Sequence, residues 1–213
     1  MKRIIIIGGM GPQASLELHR RILQRAVENG AVNGKDFPHI VHFSLPVDDF
    51  IDDQHKTKVA LRLIVESLQT FKFNSGDTVV LACNTAHLLK DELEKARHIT
   101  ITSMTEATCR FIVQHHSEIS LLASPTTIRT GLYTDTLRKA GVKVRVPTSK
   151  QLIKIESTIR SVIASKKVQP LGKSTVPILL GCTELSCAFG HGKRVIDPMN
   201  ILIDTIMPRK EML

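Results

Sequence analysis

Short β-branched runs alternate with longer segments of helical period along this 213-residue chain, and that alternation restricts the fold more than any other feature. The strand candidates are Arg3–Ile7, His39–Ser44, Thr78–Ala82, Thr100–Thr102, Ile119–Ala123, Val142–Val146, Val176–Leu180 and Val195–Ile196. Helical periodicity fills the gaps at Ala14–Glu28, Thr57–Phe71, Ala86–Ala96, Ala107–His116, Thr130–Ala140 and Gln151–Ala164. Continuously apolar strands joined through helices predict an α/β fold with parallel sheet covered on both faces. A weak internal repeat divides the pattern. Ile4–Ile7 leads into a Gly-rich turn and a helix, Ile119–Ala123 into Ser-Pro-Thr-Thr and a helix, and each half later supplies one cysteine-bearing strand. Two pseudo-symmetric parallel-sheet α/β domains are therefore expected, residues 1–102 and 103–199, with 200–213 returning to the first. The cleft between such halves is a favoured place for a small ligand.

The two cysteine segments share a local grammar. Thr78-Val-Val-Leu-Ala-Cys83-Asn-Thr-Ala-His87 and Val176-Pro-Ile-Leu-Leu-Gly-Cys182-Thr-Glu184 each end a strand in a thiol and open a helix. Helix-start amides beside a thiol are expected to lower its pKa, and two such thiols suggest proton transfer from opposite sides of one carbon. Asn84 and Thr85 offer polar contacts beside the first thiol. His87 lies one turn on, where it is expected to assist deprotonation or stabilise a thiolate. Glu184 is expected to cap its helix or to bond the second thiol, raising that thiol's pKa and so separating an acid from a base. Gly9-Met-Gly11-Pro-Gln-Ala14 matches a dinucleotide turn, but the acid expected ~20 residues on is missing. Asp48 and Asp49 come some 37 residues after Gly11. A turn that binds a carboxylate explains the glycines equally well.

Composition removes other classes. With no Trp, one Tyr and seven Phe, the chain lacks the aromatics of a single-stranded nucleic-acid platform. Its net charge of +9 is scattered, which suits attraction of a small anion to a cleft better than nucleic-acid binding. No apolar run reaches transmembrane length, and no Cys/His spacing suits a metal or a disulfide scaffold. A cytoplasmic protein with reduced cysteines is expected, with Cys109 and Cys187 as packing residues. His115-His116 reads as a solvated helix end and Lys166-Lys167 as an exposed basic loop.

Taken together, Gly8-Gly-Met-Gly-Pro12, Ala82-Cys-Asn-Thr-Ala-His87, Leu121-Leu-Ala-Ser-Pro-Thr-Thr127 with Gly131-Leu-Tyr133, and Gly181-Cys-Thr-Glu-Leu185 resemble the aspartate/glutamate racemase family. The motifs stand in that family's order over nearly the whole chain. The resemblance implies an isomerase that works without pyridoxal phosphate or any other cofactor or metal, in a homodimer, with its active site between two domains. It implies Cys83 and Cys182 as catalytic pair, and Asn84, Thr85 and Thr183 as holders of the substrate's carboxylate or amine. Met10 would contribute through its backbone. Thr127 and Ser124 match the family's hydroxyl residues after the domain-two strand, and His87 and Glu184 are support. A small anionic amino acid, aspartate or glutamate, is the implied substrate, with no nucleic-acid or membrane partner. Some members carry a cation after the second strand for the side-chain carboxylate. Here Pro46-Val-Asp-Asp-Phe-Ile-Asp-Asp53 carries none. Related enzymes acting on hydantoin, maleate or malonate, a non-catalytic ligand-binding protein and a nicotinamide-nucleotide binder are the alternatives.

Overall fold

A computed structural model describes residues 3–48, 56–170, 172, 174–190, 192 and 194–210. The four consecutive isoleucines at its start are β-branched and fully interior, so they form the middle strand of a sheet. Strand β1 (Ile4–Gly8) pairs in parallel with β2 (Ile40–Ser44) on one side and β3 (Thr78–Leu81) on the other. The second sheet repeats the scheme. Its strand β4 (Glu118–Ala123) lies between β5 (Lys143–Arg145) and β6 (Ile178–Gly181), and β7 (Val195–Ile196) adds an outer strand beside β6. All pairings within these sheets are parallel. In both sheets the first strand in sequence sits between the second and the third, and the third leads into a cysteine. The α/β fold with parallel sheets agrees with the strand–helix alternation.

Helices cover the faces. Helix α1 (Pro12–Glu28) places Ala14, Leu18 and Ile22 against Ile4 and Ile6, its other face being polar. Full burial of a Leu or Ile side chain contributes roughly 1.5–3 kcal/mol. Helices α2 (Thr57–Ser67) and α3 (Lys90–Arg97) close the opposite face, where Ile64 and Leu93 meet Ile5, Ile7 and Val79. Around the second sheet run α4 (Met104–His115), α5 (Pro125–Arg129), α6 (Thr134–Lys139), α7 (Ser149–Ile163), α8 (Thr183–Phe189) and α9 (Pro198–Ile206). Helices α4 and α9 bridge the two cores. Met104, Met199, Leu202 and Ile203 pack with Ile4 and Leu18, while Cys109, Ile112 and Ile201 join the core of the second sheet.

Three expected elements differ. Thr100–Thr102 makes only a single parallel bridge, Ile101 to Val79, because the chain turns at once into α4. The helix expected over Thr130–Ala140 is interrupted at Gly131, whose φ of +70° is the left-handed conformation glycine tolerates. The helix after Cys83 begins as a 3₁₀ turn, Thr85–Leu89, before α3.

Candidate active site

In parallel α/β sheets ligands collect beyond the carboxyl ends of the strands. Here both cysteines lie at such ends, Cys83 two residues after β3 and Cys182 directly after β6. They line one cavity of about 220 Å³. Asn84, Thr85 and Glu184 supply further polar wall, Gly9 and Gly11 expose backbone, and Met10, Pro12, Val47 and Ile163 complete it with apolar surface. A larger groove of about 850 Å³ lies at the outer edge of the second sheet, among Phe189, Arg194 and Val195, and contains neither thiol.

The turn after β1 is built by close approach. Gly9 has a φ of +97°, and a Cβ there would stand 2.2 Å from the Leu45 carbonyl oxygen. At Gly11 a Cβ would stand 2.2 Å from Glu184 Oε1, so the absent side chain leaves room for a carboxylate. Pro12 then begins α1 where no amide hydrogen is needed. The carboxyl group lying against the glycine turn is thus the protein's own Glu184. The Gly11 amide favours its charged form, yet Oε1 makes no well-formed hydrogen bond although it is buried.

The thiols follow the expected placement but not the expected acidity. Backbone amides of Thr85 and Ala86 do reach Cys83, and that of Glu184 reaches Cys182. Burial outweighs them. It pushes Cys83 up to about 12, with the Glu184 carboxylate adding to the rise. Cys182 is raised as well, by burial first and by Glu184 next, and its Sγ donates to Glu184 Oε2 at 2.9 Å. Burial also raises Glu184 itself. The lowering expected from the helix-start amides is therefore corrected, whereas the rise expected at Cys182 from Glu184 is found; both thiols are protonated at neutral pH.

His87 also departs from expectation. Its Nδ1 donates to the carbonyls of Cys83 and Asn84 at 2.9 and 3.2 Å, leaving Nε2 to accept the Met104 amide at 3.1 Å. Both ring nitrogens are occupied by backbone. Burial lowers its pKa to about 4, so it stays neutral and clamps the cysteine loop rather than exchanging protons with the thiol.

Met10, Cys83, Asn84, Thr85, Cys182 and Glu184 share the cavity wall; Ser124, Thr127 and Thr183 stand behind it. The Thr85 hydroxyl meets Ser124 Oγ at 3.2 Å and Thr127 Oγ1 at 3.0 Å, joining the two halves through a cluster of buried hydroxyls. Thr183 Oγ1 spans to the Ala82 carbonyl at 3.4 Å. These three reach the cavity through their bonds to Thr85, to the Cys83 strand and to Glu184. Residues 49–53 of the expected side-chain loop lie outside the described residues.

Tyr133 is the site residue that motif chemistry left without a role. It is wholly buried, and its hydroxyl donates to Asn84 Oδ1. That bond fixes which way the amide faces and leaves Asn84 Nδ2 buried without a partner beside the cavity. A signal was present: a lone Tyr in a core needs a partner for its hydroxyl. Gln13 and Ile163 were unforeseen as well; the Gln13 amide donates to the Ile163 carbonyl and ties α1 to the end of α7.

Among the described residues no group of three or more His, Cys, Asp or Glu side chains could hold a metal ion, and no helix is long and apolar enough to cross a membrane. Comparison with known proteins agrees with the architecture. The chain is 24% identical over 140 residues to the broad specificity amino-acid racemase RacX of Bacillus subtilis (strain 168), covering 65% of this chain and 62% of that protein. It thus matches about three fifths of that relative's length. The Picrophilus torridus aspartate racemase superposes with a TM-score of 0.75 at 20% identity, over 97% of this chain and 93% of that one. Glutamate racemase from Francisella tularensis subsp. tularensis SCHU S4, solved with D-glutamate, gives a TM-score of 0.60 at 15% identity, over 96% of this chain and 79% of that one. The model of the Asp/Glu/Hydantoin racemase family matches residues 7–206, and the chain belongs to that family.

Proposed function

We propose that this protein is an amino-acid racemase that needs no cofactor and uses Cys83 and Cys182 as a two-sided acid–base pair. The observation that carries the proposal is the convergence of both thiols, from equivalent strand ends of two sheets, on one small cavity. The substrate's α-carboxylate takes the unpartnered Nδ2 of Asn84 and the hydroxyl of Thr85, and its ammonium takes the unpartnered Oε1 of Glu184. That positive charge offsets the carboxylate field, which adds to burial in keeping both thiols protonated. The proton of Cys182 leaves along its existing bond to Glu184 Oε2. The resulting thiolate breaks the Cα–H bond and takes the proton, and the electron pair delocalises into the bound carboxylate. Cys83 then delivers its proton to the opposite face and becomes the thiolate for the reverse direction. Donors fixed where charge develops stabilise such an intermediate without reorganisation.

Aspartate or glutamate is the substrate suggested by the family and by the names of the solved relatives. Membership of the RacX relative, named for broad specificity, leaves the side chain to be argued separately. Two domains meeting after Thr102, assembly as a homodimer and a cytoplasmic setting complete the proposal. The decisive experiment is incubation of single enantiomers in D₂O. Solvent deuterium is expected at Cα of the product, and Cys83→Ala and Cys182→Ala are each expected to abolish interconversion. Racemisation surviving in either variant overturns the two-thiol mechanism.

A further inference from the structure

The cavity differs from an acidic-side-chain site in where its charge lies. Glu184 carries the one carboxyl group on the wall among the described residues, and no Lys, Arg or His stands beside it there. Once Asn84, Thr85 and Glu184 hold the α-carboxylate and ammonium, the side chains of the described wall that remain for a substrate side chain are Met10, Pro12, Val47 and Ile163. No Lys or Arg occurs between Asp48 and Lys56 in the sequence.

We infer that the side-chain subsite formed by Met10, Pro12, Val47 and Ile163 selects amino acids with uncharged, apolar side chains over aspartate and glutamate. An acidic side chain here loses its hydration, gains no cation and faces the Glu184 carboxylate at short range. An unpaired buried charge is among the costliest arrangements in a protein. A methionine or leucine side chain instead removes apolar surface from water on both partners. A lysine ammonium would have to desolvate against four apolar residues, because Glu184 is engaged by the α-amine.

The inference rests on the proposed racemase reading, and the test separates the two. Solvent-deuterium incorporation at Cα is measured for alanine, leucine, methionine, aspartate, glutamate and lysine. Leucine or methionine is expected to exceed both acidic substrates at least tenfold in kcat/KM. A preference for aspartate, glutamate or lysine overturns the subsite assignment while leaving the racemase reading intact. Protection of Cys83 and Cys182 from iodoacetamide by the same amino acids is the second readout, and it reads the subsite even without turnover. Stronger protection by aspartate than by methionine contradicts the assignment. Exchange with none of the six, alongside protection by methionine, removes the racemase reading and keeps the subsite.

Discussion

One carboxylate adds to burial in setting the resting state of both thiols. Glu184 accepts from Cys182, faces Cys83 through the same cavity, and raises the pKa of each. Replacing it by Gln removes the negative charge while keeping the shape. In Glu184→Gln the midpoint of the pH dependence of iodoacetamide modification is therefore expected to fall for both thiols. Racemisation should fall as well, because the proton acceptor beside Cys182 is gone. An unchanged or higher midpoint would show that burial alone sets thiol acidity. Tyr133 acts one step further back, on Asn84. In Tyr133→Phe the Asn84 amide loses the donor that fixes its orientation, and a buried acceptor left unpaired costs roughly 1–3 kcal/mol. KM is expected to rise several-fold with a smaller change in kcat, since carboxylate capture is the step affected; a loss confined to kcat would place Tyr133 elsewhere in the cycle. The cysteines, Asn84, Thr85 and Glu184 were legible in the sequence because strand, thiol and cap occupy adjacent positions. Tyr133 contributes from 49 residues away from Asn84, a distance no local pattern reads.

At the level of elements, the β1–α1 turn separates fold from function within three residues. Gly9 meets backbone: an added Cβ would stand 2.2 and 2.3 Å from the oxygen and nitrogen of Leu45, at a φ that side chains rarely adopt. Gly11 meets only the far end of Glu184, which can swing away. Gly9→Ala is accordingly expected to destabilise the protein by more than ~1 kcal/mol, seen as a lowered midpoint in urea. Gly11→Ala should leave that midpoint nearly unchanged and lower kcat through a displaced Glu184. If both variants lose stability equally, the turn is a structural unit and Glu184 is held by more than its contact with Gly11. The strands and most helices were legible because β-branched runs and amphipathic periods are local properties. Gly131 was passed over because one glycine inside a helical period is a weak signal; the left-handed turn it makes ends α5 and starts the chain toward Tyr133. The acidity of the thiols was misjudged for a related reason. Helix-start amides are visible in sequence, whereas burial, the larger effect, belongs to the assembled halves.

For the molecule as a whole, the two sheets are held by buried polar links as well as apolar packing. Arg21 of α1 reaches Asp197 at 2.6 Å, Asn200 at 2.9 Å and the Ser186 carbonyl at 3.0 Å, binding the first half to α8 and α9. His87 performs the same service between the Cys83 loop and the start of α4, and it does so only as the neutral ring. This gives the His87 share of the stability a pH dependence of definite sign, which Glu184, its carboxyl raised by burial, opposes in the acidic range. Above pH 6.5 the ring is neutral in both folded and unfolded chains, and its contribution is complete. Between pH 6.5 and about 4 the unfolded chain binds a proton that the folded one refuses, so stability falls as pH falls. The full loss is about 3 kcal/mol, taking 1.36 kcal/mol per pKa unit. Burial lowers His19 and His42 as well, which adds to the decline on the same side. Glu17, lowered to about 2 chiefly by its bond to Arg20, contributes stability that is present above 4.5 and lost below it. Two regimes are expected in urea unfolding, a histidine-driven decline from pH 6.5 to 4 and a carboxylate-driven one beneath. The assignment is checked by following the His87 ring signals in NMR: they should stay those of a neutral imidazole down to about pH 4. A His87 that becomes half-charged near pH 6.5 would mean that the loop bearing Cys83 does not need the ring to accept the Met104 amide.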